Sequence, residues 1–499
     1  MHFFSKTLYA LLTLLKRRIM LELEKKVVKG TAWANFALFI EHGVTFFFTI
    51  LLARILFPQD FGLIALANIV LLLAIMLKTL GINQALVQRE KDIEKAADIT
   101  FIMQLIVSFV LSVLIFFASP WIGLFFGNDI LGQIVKVLSF AIIIEAFGAT
   151  HATLLEKELD FKKKFWPISL GTLTYNLTAV LLAVAGFGVW SLVVGQVAKT
   201  LVSAVLFWFV CPWRPSFRFD AGIAKEMIGY GRYALGRDFV GFLSRRIDSL
   251  SVGKFLGSVS LGFYSEAYNI SQAFSERLSL TTAMFPAFSK LQSQKKALLD
   301  MFFKTTKYAS AVLMPVLVGL FAIVPNFVIV LFGQKWAPMI PLLRVLLICS
   351  ILSVPTVMTG DLLRAIGKVR LLFNLQIVCL VMLVFALFFA LPYGVLGVCI
   401  AITIVSVVTS IIRMVFFAKI LNVRIIDYLK IFPKIFLGSA IMLVCTLVVQ
   451  DVILPLAGLG NSVNLVFSVL TGAIEYFLML FFLDRNLFIS MKSIVRFFY

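Results

Sequence analysis

The fold is decided by residues 229–262, which read GYGRYALGRDFVGFLSRRIDSLSVGKFLGSVSLG. The stretch is long enough to cross a bilayer, because a membrane-spanning helix needs about 20 residues. An ionised group near the bilayer centre costs ~2.5–3.5 kcal/mol even on the more lenient insertion scale. A spanning helix with several such groups is therefore expected to face other helices or a water-filled cavity. The stretch carries six such side chains before Lys254: Arg232, Arg237, Asp238, Arg245, Arg246 and Asp248.

The composition around that stretch is typical of a polytopic integral membrane protein. Of the 499 residues, 61% are hydrophobic and 14% are charged, whereas soluble globular chains average about 25% charged residues. The net charge of +20 lies mostly in short segments between apolar runs. This placement indicates membrane topology and contact with anionic membrane lipids, and it argues against nucleic-acid binding. The five cysteines form no CxxC pair and match neither zinc-ligand nor disulfide spacing.

Apolar runs of spanning length recur along the whole chain, and they predict an all-α polytopic membrane protein with about 14 transmembrane helices. With a cytoplasmic N-terminus, Lys and Arg in the tails, the loops and the adjoining span edges divide 33 to 3 in favour of the inside. This bias predicts that both termini are cytoplasmic. The predicted spans are 31–53, 61–87, 98–119, 133–153, 165–186, 188–211, 229–252, 261–288, 308–332, 338–362, 371–391, 393–416, 434–453 and 463–483.

Cytoplasmic tails are expected at 1–30 and 484–499. In the first tail, an apolar run precedes a basic cluster at 16–18, the reverse of the order in a secretory signal. We interpret the segment either as an interfacial amphipathic helix or as an upstream extension, with translation starting at Met20 and not at Met1.

An internal repeat predicts two six-helix halves, 31–211 and 229–417, followed by two additional helices within 433–483. The sequence from Ala53, ARILFPQDFGLIALAN, aligns with that from Gly253, GKFLGSVSLGFYSEAYN, at an offset of 200, and two later segment pairs align at offsets up to 208. An even number of spans gives both halves the same orientation, so the axis relating them runs along the membrane normal. Two such bundles around a central cavity are the architecture of a secondary transporter.

Four charged residues of the seventh span share one face of the predicted helix, while Arg232 and Arg246 fall on another face. Arg237, Asp238, Ser244, Arg245 and Asp248 fall within about 120° on a helical wheel. Arg245 and Asp248 are three residues apart and can pair. The excess of Arg over Asp favours a cavity wall for an anionic substrate. The alternative is that these charges pair among themselves and with adjacent helices, and only specify packing.

Other spans carry isolated ionisable residues. Glu41 lies near mid-depth in the first span and is the candidate for proton or sodium coupling, and His42 beside it could titrate near neutral pH. A buried structural hydrogen bond is the alternative for this pair. Four residues near predicted span ends are interpreted as boundary residues, since long side chains there can reach the headgroups: Lys136, His151, Arg344 and Asp361.

Four stretches resemble the polysaccharide flippases, the Wzx-like branch of the multidrug/oligosaccharidyl-lipid/polysaccharide exporter superfamily. They are KGTAWANF from Lys29, LARILFPQDFGLIALA from Leu52, LLEKELDFKKKF from Leu154 and RIDSLSVGKFLGSVSLGFYSEAYNIS from Arg246. The similarity extends from about Lys29 through the twelfth span and is closest to the subgroup serving lipopolysaccharide, colanic-acid and teichuronic-acid pathways.

The resemblance implies a multi-pass flippase of the cytoplasmic (inner) membrane, without cofactor or enzymatic activity. Such a protein moves undecaprenyl-pyrophosphate-linked oligosaccharide from the inner to the outer leaflet by alternating access. An H⁺ or Na⁺ gradient, or consumption of the product outside, would supply energy, and a polysaccharide polymerase is a candidate partner. The diphosphate most resists crossing hydrocarbon, and the planar fork of Arg binds phosphate bidentately. The candidate diphosphate-binding cations are Arg237, Arg245 and Arg246, extended by Lys78 and Lys199, with Asp238 and Asp248 as compensating carboxylates.

Two other classes of function stay open at this stage. Within the same superfamily, the chain could be a flippase for a peptidoglycan precursor or a cation-coupled drug exporter, although an exporter of cationic drugs should have an acidic cavity. A membrane-embedded polysaccharide polymerase or ligase should have a long external loop, and the longest predicted external segments are about a dozen residues. The sequence contains no GxxxxGK[ST] phosphate loop, so ATP hydrolysis by this chain is not expected.

Overall fold

The computed structural model describes residues 41, 43–216, 218–275, 281–453, 460–485 and 487. This part of the chain consists of helices and their connections, which confirms the all-α class. The predicted N-terminal tail, the first part of the predicted first span and most of the predicted C-terminal tail lie outside the described residues. The helices are α1 (Gly43–Ile55), α2 (Pro58–Thr79), α3 (Ile82–Gln88), α4 (Ile93–Phe126), α5 (Asp129–Lys157), α6 (Phe161–Val184), α7 (Val189–Val210), α8 (Ala221–Phe255), α9 (Gly257–Ser275), α10 (Thr281–Lys290), α11 (Lys295–Phe327), α12 (Met339–Ser353), α13 (Thr359–Ala365), α14 (Val369–Ala390), α15 (Gly394–Leu421), α16 (Ile425–Leu429), α17 (Pro433–Val448) and α18 (Asn461–Leu483).

Ten helical segments of the described chain are long and apolar enough to cross a membrane, and one of them, Val369–Leu421, contains both α14 and α15. The protein is therefore a multi-pass membrane protein. Helix α8 is not among the ten segments, as expected from its charged side chains. The total of 14 spans stays a prediction.

Helix α8 begins earlier than the predicted seventh span. The Asp220 carboxylate accepts hydrogen bonds from the backbone N–H groups of Gly222 (2.8 Å) and Ile223 (3.2 Å), which caps the helix before its apolar part begins. The helix then runs for 35 residues. The apolar pattern begins only at residue 229, so the first turns of α8 were predicted to be a loop and the start of the helix at Ala221 could not be located from it.

The described residues cluster into two compact units. Unit 1 holds those within Met1–Leu52, Val70–Leu124 and Asn128–Asp238, and unit 2 holds those within Ala53–Ile69, Phe125–Gly127 and Phe239–Tyr499. The two units divide the chain within α8, after Asp238. The predicted division into two six-helix halves follows from the sequence repeat and is not tested by these units. It therefore stays a prediction.

In unit 1, the first part of α8 packs on the turn between α2 and α3. A side-chain carbon built on Gly231 would overlap the Leu80 carbonyl, and one built on Gly81 would overlap the Gly231 backbone. Gly81 also has a φ of 70°, which favours glycine. The first turns of α8 are held here by a buried apolar cluster that includes Ile223, Ala224, Met227, Ile82 and Leu86.

In unit 2, two basic side chains make equivalent hydrogen bonds. The Arg54 Nε donates to the Leu331 carbonyl at 3.0 Å, and the Lys254 ammonium donates to the Phe125 carbonyl. Arg54 and Lys254 occupy aligned positions of the sequence repeat. Leu331 and Phe125, whose carbonyl groups accept these hydrogen bonds, are aligned to within a few positions. Each basic residue thus satisfies a terminal carbonyl at the end of a long helical segment.

Two glycines make close contacts that follow the same repeat. An added side-chain carbon at Gly62 would overlap the Ser258 carbonyl, and one at Gly262 would overlap the Pro58 carbonyl. Because Gly62 aligns with Gly262 in the repeat, and Pro58 with Ser258, the contact between the first turns of α2 and α9 is reciprocal. These contacts support the internal repeat.

Candidate functional site

In the part of α8 that belongs to unit 1, Arg237 forms an ion pair with its neighbour Asp238. Arg237 Nη2 lies 3.0 Å from Asp238 Oδ1, and Gln84 Nε2 of α3 donates to Asp238 Oδ2 at 3.5 Å. The Arg237 side chain is nevertheless 57% exposed. Its guanidinium group therefore remains accessible to an anion. The side chain of Arg232 lies outside the described residues.

The part of α8 in unit 2 carries Asp248, which is buried and bonded within the protein. Its carboxylate accepts hydrogen bonds from the Tyr264 hydroxyl of α9 and from the backbone N–H of Ser249 at 2.7 Å. Among the described ion pairs, none joins Asp248 to Arg245, so the pairing that their spacing allows is not formed. The electrostatic partner of Asp248 is Arg246, which is half-buried. Arg245 is exposed and free to line a cavity.

Unit 2 contains a cavity of ≈ 670 Å³ between α8, α9 and α11–α15. Arg245 and Asp248 line it, as expected for a charged face of α8. Three further charged residues, which were not selected from the sequence as cavity residues, also line it: Asp361, Arg364 and Arg413. Asp361 Oδ1 lies 3.3 Å from Arg364 Nη1, and its side chain is 13% exposed. Asp361 therefore lines the cavity and pairs with Arg364, while its position at the membrane boundary stays a prediction.

Arg364 and Arg413 were not selected from the sequence because they lie close to predicted span ends, at residues 362 and 416. In the predicted topology, Arg364 lies in a loop and Arg413 lies near the end of a span. Both residues were used only to predict which side of the membrane the loops face. Helix α15 instead continues to Leu421 and ends where Asn422 adopts a φ of 50°, so Arg413 lies within the helix. The absence of Gly or Pro between 398 and 421 is the sequence signal that could have extended it.

Unit 1 contains a smaller cavity of ≈ 260 Å³, whose polar lining includes Glu145, Gln196, Lys199, Thr200 and Ser203. Lys199 therefore lines a cavity, and its role as a substrate-binding cation stays a prediction.

Lys78 lies in a different environment. Its side chain is 1% exposed and forms an ion pair with Glu145, which is 36% exposed. Lys78 could bind a substrate only by exchanging that carboxylate for it.

Glu41 is also in unit 1 and is held by neighbouring polar groups. The Thr172 hydroxyl donates to Glu41 Oε1 at 2.9 Å, and the Glu41 carboxylate is close enough to Lys199 to attract it electrostatically. The other member of the predicted coupling pair, His42, lies outside the described residues. Glu41 is thus one acid in a small polar network beside the unit 1 cavity.

His151 does not occupy a boundary position. It is fully buried, and its ring lies 4.9 Å from the Trp208 ring and 5.1 Å from the Trp213 ring, centroid to centroid. The prediction that His151 reaches the headgroups is wrong, because two aromatic side chains enclose it. Lys136, by contrast, is exposed and lies 4.6 Å from the centre of the Phe116 ring.

These features define an all-helical membrane protein with polar cavities inside both units. The fold is similar to that of a solved lipid II flippase MurJ in an inward closed conformation, with a TM-score of 0.71, 16% identity, and coverage of 91% of this chain and 99% of that chain.

The chain belongs to the polysaccharide biosynthesis protein family, whose model matches residues 51–341. It is 28% identical over 371 residues to the teichuronic acid biosynthesis protein TuaB of Bacillus subtilis strain 168, covering 73% of this chain and 76% of that protein. It is 26% identical over 385 residues to the lipopolysaccharide biosynthesis protein WzxC of Escherichia coli strain K12, covering 76% of each.

Proposed function

We propose that this membrane protein is a flippase for lipid-linked oligosaccharides used in surface polysaccharide biosynthesis. The observation that carries the proposal is the unit 2 cavity, which holds three arginines and two aspartates in a member of the polysaccharide biosynthesis family. The names of TuaB and WzxC, which refer to polymer biosynthesis, also support it. The substrate proposed is an undecaprenyl-pyrophosphate-linked oligosaccharide, moved from the inner to the outer leaflet of the cytoplasmic membrane.

The substrate's diphosphate is the group for which cationic side chains are needed. Arg237, Arg245 and Arg246 are the candidate ligands, because guanidinium groups bind phosphate oxygens bidentately. In unit 1, Lys199 would extend the cationic surface directly, and Lys78 would do so after release from Glu145. Asp238 and Asp248 limit the excess positive charge while no substrate is bound.

Transport is proposed to follow alternating access. The inward-open state captures the diphosphate and the sugars, while the lipid tail stays in the bilayer, and the outward-open state releases them. An H⁺ or Na⁺ gradient, or consumption of the product outside, would supply direction, and Glu41 is the candidate coupling acid. Both termini are proposed to be cytoplasmic, and a polysaccharide polymerase is the proposed recipient of the product.

The excess of arginine over aspartate in the unit 2 cavity argues against one rival of this proposal, the exporter of cationic drugs. An exporter of cationic drugs needs acidic groups in its cavity, whereas the cavity of unit 2 has a positive excess. A flippase for a peptidoglycan precursor would need similar cations, and only the transported glycan separates it from the proposal. No catalytic role is proposed for any residue, since the proposed movement breaks no covalent bond.

Single Arg237→Ala, Arg245→Ala and Arg246→Ala variants test cationic capture. Surface polysaccharide is measured in cells at matched protein levels, and we expect a loss in at least one variant. The control is Arg424→Ala, which removes an exposed side chain paired with Asp427 in α16 and should leave export unchanged. Undiminished export in all three arginine variants would contradict the proposal.

A further inference from the structure

Helices α11, α17 and α18 of unit 2 pack against one another and bury polar groups between them. Five side-chain oxygens there are buried without a hydrogen-bond partner in the described part of the chain, and they belong to Ser310, Ser439, Thr446, Ser468 and Asn464. Each of these residues is at most 9% exposed. Helical hydroxyls can bond to a backbone carbonyl of their own helix, as those of Thr305 and Thr471 do. Leaving a buried polar atom unbonded is destabilising, so these five oxygens need partners from outside the chain.

An acidic residue lies among these groups, inside the span formed by α18. Glu475 lies about 12 Å along the helix axis from the end of α18 at Leu483. It is half-buried, its Oε2 atom has no hydrogen-bond partner, and it belongs to none of the described ion pairs. On a helical wheel, Asn464, Ser468 and Glu475 fall within about 40° of one another. We call Glu475 and the five residues with unbonded oxygens the polar row.

Contacts between the helices place two members of the polar row near the level of the acid. The Tyr476 hydroxyl of α18 donates to the Ala311 carbonyl of α11 at 2.7 Å, and Ser310 is next to Ala311. A side-chain carbon built on Gly438 would lie 3.8 Å from the Tyr476 ring, and Ser439 is next to Gly438. All three helices therefore contribute an unbonded oxygen at about this depth.

The polar row continues toward both ends of the span. A side-chain carbon built on Gly472 would lie 3.1 Å from Thr446 Oγ1, which places that hydroxyl one turn of α18 before the acid, and Asn464 lies two turns further on. At the opposite end, Asp484 pairs with Lys307 at 2.6 Å. From Asn464 to Asp484 the chain rises about 30 Å, the thickness of the hydrocarbon core. Polar groups thus follow one another across the whole span.

No neighbouring group on these helices supplies a counter-charge for Glu475. The charged and titratable side chains nearest to the polar row are Lys307, Tyr308, Lys434, Cys445, Tyr476 and Asp484. Lys307 is paired with Asp484, and Lys434 is exposed and lies near the same carboxylate. A phenol or a thiol cannot supply positive charge. An unpaired carboxyl group in a membrane span is costly to ionise and is typical of proton relays.

We propose that α11, α17 and α18 enclose a file of water molecules that carries protons, with Glu475 as the group that takes up and releases the proton. A water molecule on one side gives a proton to the Glu475 carboxylate, which then passes it to a water molecule on the other side. Hydroxyl groups both donate and accept hydrogen bonds, so the rest of the polar row can hold the file in place. The inference rests on the proposed function, because it names a route for the ion that would supply direction. Glu475 would act in addition to Glu41 of unit 1.

Hydroxyl-radical labelling by X-ray radiolysis tests for the water, because it modifies side chains that touch ordered water. The purified full-length protein is studied in lipid nanodiscs. The probe is Met442, which is 2% exposed and lies between α11 and α18, and the matched control is Met358, which is 0% exposed and lies in an apolar cluster. We expect several-fold faster labelling of Met442 than of Met358. Equal rates would show that the polar row is dry and would overturn the inference.

Transport tests for the proton. Movement of an undecaprenyl-pyrophosphate-linked oligosaccharide is measured in liposomes with and without an imposed gradient of about one pH unit. We expect the gradient to accelerate movement by the unchanged protein, up to about the tenfold ratio of proton activities. Glu475→Gln should keep the movement seen without a gradient and lose the acceleration. Glu475→Asp retains the acid and should keep part of it, which covers the case in which Glu475→Gln fails to fold. Thr305→Val, whose hydroxyl is bonded to its own helix, should behave as the unchanged protein does.

The outcomes separate this inference from the proposed function. Acceleration that survives in Glu475→Gln, or that is absent from the unchanged protein, would overturn the proton file while leaving the flippase function intact. Absence of protein-dependent movement under every gradient would instead refute the function.

Discussion

Replacing Glu145 with Gln should destabilise the protein, because it leaves a buried ammonium group without a counter-charge. The Lys78 side chain is 1% exposed, and that of its partner Glu145 is 36% exposed. Removing one member of a buried ion pair costs about 3–5 kcal/mol, and solvent screening at the partly exposed Glu145 reduces the expected loss to about 2–3 kcal/mol. The change is nearly isosteric, so the loss reports the charge and not a cavity.

The assay is thermal unfolding of the purified protein in one detergent, with Lys164→Gln as the matched control. Lys164 forms an ion pair with Glu156 in which the two side chains are 25% and 52% exposed, and breaking such a pair should cost no more than about 1 kcal/mol. The double variant Lys78→Met/Glu145→Gln should recover most of the stability, because no unpaired charge remains. Equal melting temperatures for Glu145→Gln and Lys164→Gln would refute the reasoning, as would a double variant no more stable than Glu145→Gln.

Two further predictions concern unit 2. Tyr264→Phe removes a hydroxyl donor from the buried Asp248 carboxylate, and we expect a loss of about 1–3 kcal/mol in unfolding free energy; an unchanged melting temperature would show that Asp248 does not depend on this bond. Gly262→Ala places a methyl group onto the Pro58 carbonyl, and overpacking of this kind costs about 1–3 kcal/mol. Its control is Gly319→Ala, whose added methyl group would meet its nearest neighbour at 3.6 Å and should be tolerated; similar melting temperatures for the two alanine variants would contradict the close contact.

The class of fold and the cavity-lining position of α8 could be predicted from the sequence for a simple physical reason. Lipid-spanning helices must be apolar over about 20 residues, so an arginine-rich span is conspicuous against its neighbours. Arg245 and Asp248 line a cavity, as that pattern indicates. The sequence repeat also reappears in matched contacts, such as those of Gly62 and Gly262.

The partners of the charged residues could not be predicted, because they are set by tertiary packing. Asp248 is bonded to Tyr264 of the next helix and not to Arg245 on its own helix, although the local spacing allows the latter pair. Lys78 of α2 meets Glu145 of α5, a helix that is remote from it in sequence. Arg413 was treated as a span-edge residue because it lies close to the predicted end of its span at residue 416, whereas α15 stays helical to Leu421.

The most direct test of the proposed function is movement of substrate in a purified system. The protein is reconstituted into liposomes whose outer leaflet is labelled with an undecaprenyl-pyrophosphate-linked oligosaccharide, and a membrane-impermeant glycan-modifying reagent then measures how much stays accessible from outside. We predict protein-dependent loss of accessibility that is slowed by Arg245→Ala. A rate equal to that of protein-free liposomes, across preparations in which the protein is folded, would contradict the flippase function.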